Sequence, residues 1–455
     1  MKSGAMKAAA DRTSAASAGL DQGLTTRTGS AADVLPALAD EVVGNVASAA
    51  LAHTSAVAPS AFDAIMPTYA RTDVSFVRGE GSWLFDQSGA RYLDFTSGIA
   101  VNCLGHAHPH LVAALQEQAA QLWHTSNLYR MPNQERLAQR LVEATFADRV
   151  FFCNSGAEAC EGAMKAARRY QSSIGQTQKT RFLTFSGAFH GRTLGALAAS
   201  GNEKYLAGFG PAMPGFTQVD IDDVDAIARE IAKPDLAAVI IEPLQGEGGI
   251  KTVPRERLQA LRAACDDHGV LLIFDEVQCG VGRTGYLFEH QRSGVVPDIM
   301  TIAKGIGGGF PIGAFMTTAS VGDAMAPGSH GSTFGGNPLA TAVGNAVLDI
   351  VAAPEFLVEV TRKGNLLIEQ LEKLKQSAPD QIAEIRGRGL LLGIKLKSPS
   401  AALVSAAFEA KLLLVGAAEN VVRIIPPLNA TDDDLHEAVT RLKRALGQVA
   451  RGQAH

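Results

Sequence analysis

Three short stretches carry residue types that could do chemistry. The apolar run DIMTIA ends on Lys304, which is followed by Gly305-Ile306-Gly307-Gly308-Gly309. A lysine there is a poor fit to a solvated surface charge. Desolvation beside other cations lowers an amine's pKa and lets it attack a carbonyl. The run VLLIF ends on Asp275-Glu276-Val277-Gln278. Two acids closing an apolar strand are costly to bury without a cation. They read as a solvated strand end, a metal site, or a partner for a protonated ring nitrogen. The run RVFFC leads into Asn154-Ser155-Gly156-Ala157-Glu158, where a helix opens. Small residues and free N–H groups there suit an anion such as a phosphate. An ordinary N-cap by Asn154 or Ser155 reads the same letters. Lys304 lies 29 residues after Asp275, room for one strand–helix–strand step. The two therefore belong on nearby strands of one sheet.

Two other patterns compete for attention. Gly280-Val281-Gly282-Arg283-Thr284-Gly285 matches GxGxxG after a strand. A dinucleotide fingerprint needs a helix opening on the loop and an acid about 20 residues on. Neither is present. His106, His108 and His110 alternate like metal ligands, but Pro109 between them reads as a helix start. No metal is expected.

The elements that must position these residues follow from periodicity. From 61 to 107 the alternation of apolar and polar residues, with glycine turns, reads as a strand meander. From 108 to 336 apolar strands alternate with helices, which implies a mainly parallel sheet with helices on both faces. In such sheets ligands bind beyond the carboxyl ends of the strands. From 337 to 455 come two long helices, short strands and a final helix. The expected fold class is α/β, with a large sheet domain and a smaller α+β domain built from the 61–107 segment and the C-terminal part. Residues 1–60, rich in Ala, Ser and Thr, are expected to be a disordered extension or a targeting peptide.

Composition narrows the class of function. The 455 residues carry a net charge of −5, which argues against a nucleic-acid partner. No apolar run reaches 18 residues, so no membrane helix is expected. The five cysteines form no CxxC, which fits a reducing, cytoplasmic compartment, or an organelle matrix if the extension is a targeting peptide.

A phosphate cradle, an acid at one strand end and a lysine at the next describe a pyridoxal-phosphate site. The chain resembles the class III, fold-type I aminotransferases, and the acetylornithine group among them. The stretches that carry the resemblance are TSGIAVNCLGHAHP, FCNSGAEACEGAMKAAR, FSGAFHGRTLGALAASG, IIEPLQGEGG, IFDEVQCGVGRTG, AKGIGGGFPIGA, HGSTFGGNPLA and VVRIIPPLN. They run in order from Thr68 to about Leu446.

The resemblance implies roles. Lys304 would hold the cofactor aldehyde and later act as general base. Asp275 would pair with the pyridine nitrogen. Gln278 would bond the ring hydroxyl, with Val277 on one ring face and Phe189 on the other; Glu276 counts with the cofactor contacts. Ser155, Gly156 and Ala157 would cradle the phosphate. Ser332 and Thr333 would reach the site of the neighbouring subunit, Thr333 at the phosphate and Ser332 on the substrate side, in a homodimer. Arg192 would clamp a substrate carboxylate. Arg423 would take the carboxylate near the reacting carbon of glutamate or 2-oxoglutarate, and Glu247 would neutralise it for a plain ω-amine. The implied reaction moves the δ-amino group of N2-acetyl-L-ornithine to 2-oxoglutarate, in arginine biosynthesis. Succinyl-ornithine, succinyl-diaminopimelate or another ω-amine are the alternative donors, and a racemase or mutase is the alternative reaction. Ile99 and His190 stand where ornithine aminotransferases carry a tyrosine and a tryptophan, which favours an acylated donor.

Overall fold

The computed structural model describes residues 64–452, so the expected extension at 1–60 lies outside the described residues. The body from residue 74 onward opens on the meander. Its strands are β1 (Phe76–Glu80), β2 (Trp83–Asp86) and β3 (Arg91–Asp94), paired antiparallel in that order.

The large sheet follows. Its strands are β4 (Arg149–Cys153), β5 (Arg181–Phe185), β6 (Phe216–Val219), β7 (Leu236–Ile241), β8 (Leu271–Asp275), β9 (Ile299–Ile302) and β10 (Gly313–Thr317). The order across the sheet is β4-β10-β9-β8-β7-β5-β6. β10 alone runs antiparallel to both its neighbours. The expectation of a mainly parallel sheet therefore holds, with one reversed strand added.

Helices cover both faces, and β7 shows why it is apolar throughout. Its Ala238 and Ile240 pack in one cluster with Ala163 and Ala167 of the helix Gly156–Ser173. Val239 and Ile241 pack in a different cluster with Leu258 and Leu261 of the helix Arg255–His268. Side chains alternate along a strand, so a strand covered twice has no polar face.

The smaller part draws on both ends of the chain. The C-terminal strands are β11 (Ile382–Arg388), β12 (Leu391–Leu396), β13 (Leu412–Leu413), β14 (Val415–Gly416) and β15 (Val421–Ile424). β11, β12, β15 and β14 form an antiparallel sheet, while β13 joins the meander, parallel to β3. The final helix, Asp432–Gly452, is also tied to the meander. Asp434 accepts hydrogen bonds from Ser82 Oγ and Trp83 Nε1, both at 3.0 Å.

The two competing patterns prove structural. The GxGxxG loop opens no helix; Gly282 and Gly285 sit at φ +82° and +89°. Arg283 between them is fully buried and donates to the carbonyls of Leu390 and Pro426. The three histidines do not converge: His106 pairs with Asp94 and His110 with Asp349, each at 2.9 Å.

Candidate active site

The candidate residues meet at the carboxyl end of the large sheet. β8 and β9 are parallel neighbours, and Asp275 lies opposite Thr301. Lys304 follows β9 in a tight turn, Lys304–Gly307, with its own φ at +48°. A cavity of about 420 Å³ opens there, walled by Ser155, Gly156, Ala157, Phe189, Arg192, Glu247, Asp275, Val277, Gln278 and Lys304.

Asp275 is the most heavily bonded group. Its Oδ1 accepts from Val277 N at 3.0 Å and Thr301 Oγ1 at 3.1 Å. Its Oδ2 accepts from Cys160 Sγ at 3.3 Å and meets His190 Nδ1 at 2.7 Å. Burial alone would raise this carboxyl; the bond and charge of His190 outweigh it and hold it below the usual carboxylate range. The same pair lifts His190 against its own burial. The outcome is a carboxylate that stays ionised with no solvent around it. Cys160, His190 and Asp275 lie close enough to suggest a metal site. Burial, with Asp275 nearby, pushes the Cys160 thiol well up. Its Sγ–H donates to Asp275 Oδ2.

Lys304 carries the opposite tuning. Burial, then the Arg423 charge, brings its amine down to about 8. Arg423 is itself buried; its Nη1 bonds Glu247 Oε1 at 2.7 Å and its Nη2 donates to Gly416 O at 2.9 Å.

The anion end is a helix N-terminus. Ser155 caps Gly156–Ser173, its hydroxyl accepting from Glu158 N at 3.2 Å. A Cβ on Gly156 would meet Val277 Cγ1 at 2.7 Å, so the helix start and the residue after β8 are pressed together. Gly313 at the head of β10 backs the cradle: its Cβ would meet Ser155 O at 2.6 Å. Gly313→Ala should therefore displace the cradle and cost about 1–3 kcal/mol of stability. A drop in Tm together with weaker anion retention checks this; an unchanged Tm contradicts it.

One sequence expectation needs correction. Glu276 does not face the cavity. Its carboxylate accepts from Glu289 N and His290 N, at 2.6 and 2.9 Å, and so holds the start of the short helix Glu289–Ser293. Burial pushes it up to about 8. His190 lines the cavity with its ring held at Nδ1 by Asp275. Ile99 is exposed at φ +63°. Ser332 and Thr333, expected at a neighbouring subunit's site, do not line this chain's own cavity; Ser332 Oγ bonds Asn154 Nδ2 at 3.3 Å and Gly335 N at 3.0 Å.

One functional residue escapes the sequence reading. Glu242 follows β7, is buried on the cavity wall, and accepts from Phe189 N at 2.8 Å and Gly246 N at 3.3 Å. Burial, reinforced by the Asp275 charge, raises it to about 7. It ties the Phe189 segment to the Glu247 loop. The signal is available in the letters: it is an acid ending an apolar strand, as Asp275 is.

Chemically, the arrangement can hold an anion at a helix N-terminus, keep a ring nitrogen protonated against Asp275, and present a nucleophilic amine. Comparison with known proteins agrees. Residues 65–446 match the family model described as Aminotransferase class-III. The chain is 57% identical over 387 residues to an acetylornithine aminotransferase of Mesorhizobium japonicum, covering 85% of this chain and 97% of that one. Against the acetylornithine aminotransferase of Agrobacterium fabrum the identity is 55%, covering 86% and 98%. Among solved structures, the N-acetylornithine aminotransferase of Stenotrophomonas maltophilia is 38% identical with a TM-score of 0.75, covering 84% and 98%. The ornithine aminotransferase of Toxoplasma gondii is 32% identical with a TM-score of 0.83, covering 86% and 95%.

Proposed function

The chain belongs to the class-III aminotransferase family, and on that premise we propose that it transfers the δ-amino group of N2-acetyl-L-ornithine to 2-oxoglutarate, giving N-acetyl-L-glutamate 5-semialdehyde and glutamate, a step of arginine biosynthesis. The cofactor is pyridoxal phosphate, and the residues present fit it. Gln278 Oε1 and His190 Nε2 are buried polar atoms with no partner, both on residues of the cavity wall. The Gly156 cradle, the ionised Asp275 and the tuned Lys304 supply what a phosphate, a ring nitrogen and an aldehyde each require. When bound, pyridoxal phosphate would supply a carbonyl for the donor amine and an electron sink for the donor carbon.

The residues of this chain do the rest. Gly156 and Ala157 offer backbone N–H groups to the phosphate, and the helix dipole adds to the attraction. Asp275, held ionised by His190, would accept the ring N–H. Val277 and Phe189 would flank the ring, and Gln278 would meet its hydroxyl. Lys304 Nζ would hold the aldehyde and, when freed by the donor amine, would be the base placed to move the donor's proton. Arg192 holds the donor's carboxylate in a planar fork.

The observation that carries this reading is the Arg423–Glu247 pair beside Lys304. Two different substrates must use one site: an amine with an uncharged CH₂ beside nitrogen, and a dicarboxylate. Paired, Arg423 is neutralised for the first; with Glu247 swung away, it binds the second. Glu247→Ala should therefore leave Arg423 exposed as a bare cation. We expect about a tenfold loss of kcat/KM for N-acetylornithine, with glutamate improved as donor. Separate half-reaction kinetics with each donor measure this; a parallel change for both donors contradicts the switch.

Support for an acylated donor comes from the relatives, several of which, at 52–57% identity, carry the name acetylornithine aminotransferase. A steady-state panel tests it: N-acetylornithine, N-succinylornithine, ornithine and succinyl-diaminopimelate, with 2-oxoglutarate as acceptor. N-acetylornithine should give the highest kcat/KM. A racemase or mutase would deliver no amino group to 2-oxoglutarate.

We also infer a homodimer. Trp123, Leu128 and Phe334 are large apolar side chains left exposed close in sequence to Asn127, Ser332 and Thr333. Asn127 Nδ2 donates to Ser332 O and Gly335 O, each at 3.0 Å, joining the two segments into one patch. A second copy seated there would receive Ser332 and Thr333 at its own site. Sedimentation of the purified protein tests it. Five free, buried cysteines suit a reducing compartment, and we assign the protein to the cytoplasm.

A further inference from the structure

We propose that Tyr205 is a positioning residue that sets how tightly the site holds the carboxylate of its amine donor. The proposal rests on the reading of Arg192 as the carboxylate clamp. Arg192 is exposed at the cavity rim, and no carboxylate among the described residues pairs with it. A long cation without a partner samples many rotamers, and freezing it on binding costs affinity. Here the ring of Tyr205 lies under the guanidinium, 3.8 Å from the Arg192 carbon to the ring centroid. A cation at that distance from an aromatic face is attracted by the ring quadrupole. The contact fixes the guanidinium while leaving its N–H groups free for a planar acceptor. A carboxylate partner would hold the arginine too, but would also occupy the fork.

The chain is built to bring the two residues together. Arg192 precedes and Tyr205 follows the short buried helix Leu194–Ser200. That helix starts on Thr193, whose hydroxyl accepts from Ala196 N at 3.2 Å. It ends on Gly201 at φ +62°, where a Cβ would meet Gln218 at 2.5 Å, so the reversal there requires glycine. Asn202 then caps the turn Glu203–Leu206, which carries Tyr205. The same ring meets Phe189 edge-on, at 6.3 Å and 88° between planes. One side chain thus braces both the clamp and the aromatic wall of the cavity.

The test compares two amines that differ only in the carboxylate: N-acetylornithine and N-acetylputrescine. The half-reaction of the holoenzyme with each is followed by loss of cofactor absorbance, without 2-oxoglutarate. Tyr205→Leu should raise the half-saturating concentration of N-acetylornithine about tenfold, with the limiting rate held within about twofold. N-acetylputrescine should be unaffected, and Tyr205→Phe, which keeps the ring, should behave as wild type. Equal weakening for both amines, a loss confined to the limiting rate, no change for N-acetylornithine, or a Tyr205→Phe variant as poor as Tyr205→Leu would each overturn the proposal. Wild-type enzyme inert toward N-acetylornithine would instead overturn the function reading. The carboxylate comparison would then be run on whichever donor the panel identifies.

Discussion

Lys304→Ala is expected to abolish turnover, lowering kcat by about 10,000-fold or more, because one amine serves both to hold the cofactor and to move the proton. The variant should still fold. Lys304 is left with φ at +48°, a strained value for a side-chain-bearing residue, and its amine is a buried charge pressed by Arg423. Removing that charge relieves both burial and repulsion, so thermal stability should hold or rise while activity vanishes. The amine's position near 8 adds a pH signature. Lysine is usually near 10.5, so the folded protein disfavours the proton and Lys304 becomes a free nucleophile about two and a half pH units early. Capture of pyridoxal phosphate by cofactor-free wild type should rise through pH 8 and level off above it. A midpoint near 10.5, or residual turnover in the alanine variant above about one part in a hundred, would contradict this assignment.

Asp275→Asn should cost about 1000-fold in kcat and weaken cofactor retention. The change looks conservative and is not. Val277 N, Thr301 Oγ1, Cys160 Sγ and His190 Nδ1 all surround the carboxylate, and one of them, the Val277 backbone N–H, can only donate. An amide NH₂ in place of Oδ1 would face that N–H with no lone pair to offer, and in place of Oδ2 it would lose the charge-assisted bond to His190. The variant would therefore lose the ring-nitrogen partner and also gain an unsatisfied buried cluster, with a lower Tm. The absorbance of bound cofactor and a denaturation curve separate the two losses. Near-normal kcat would show that Asp275 serves the fold alone.

The strand-end rule locates Ser155, Asp275 and Lys304 from sequence, because open parallel sheets expose their carboxyl ends to ligand whatever the details. It cannot decide which of two adjacent acids faces the cavity. Successive side chains leave a strand in opposite directions, so Asp275 turns to the site and Glu276 to the short helix at Glu289. His190 carries no mark of its role either: it meets Asp275 across 85 residues of chain, and nothing local distinguishes a buttress from a substrate contact. β10 escapes for a different reason. GAFMT is five residues long and follows the Gly-rich stretch after Lys304, with no full helix between β9 and β10 to signal a return. A reversed strand needs no crossover, so the usual alternation falls silent there.

The meander closed by β13 sets a timetable for the growing chain. β3 cannot gain its parallel neighbour until Leu412 and Leu413 exist, and Trp83 and Ser82 cannot gain Asp434 until later still. At about 5–20 residues per second, the ~320 residues between them take on the order of 15–60 s to synthesise. Throughout that interval β3 waits on the ribosome as a naked edge, open to strands of other chains. The smaller domain becomes whole only once Asp434 has been made, well after the first hydrophobic collapse, and shielding nascent chains should raise the yield of native enzyme.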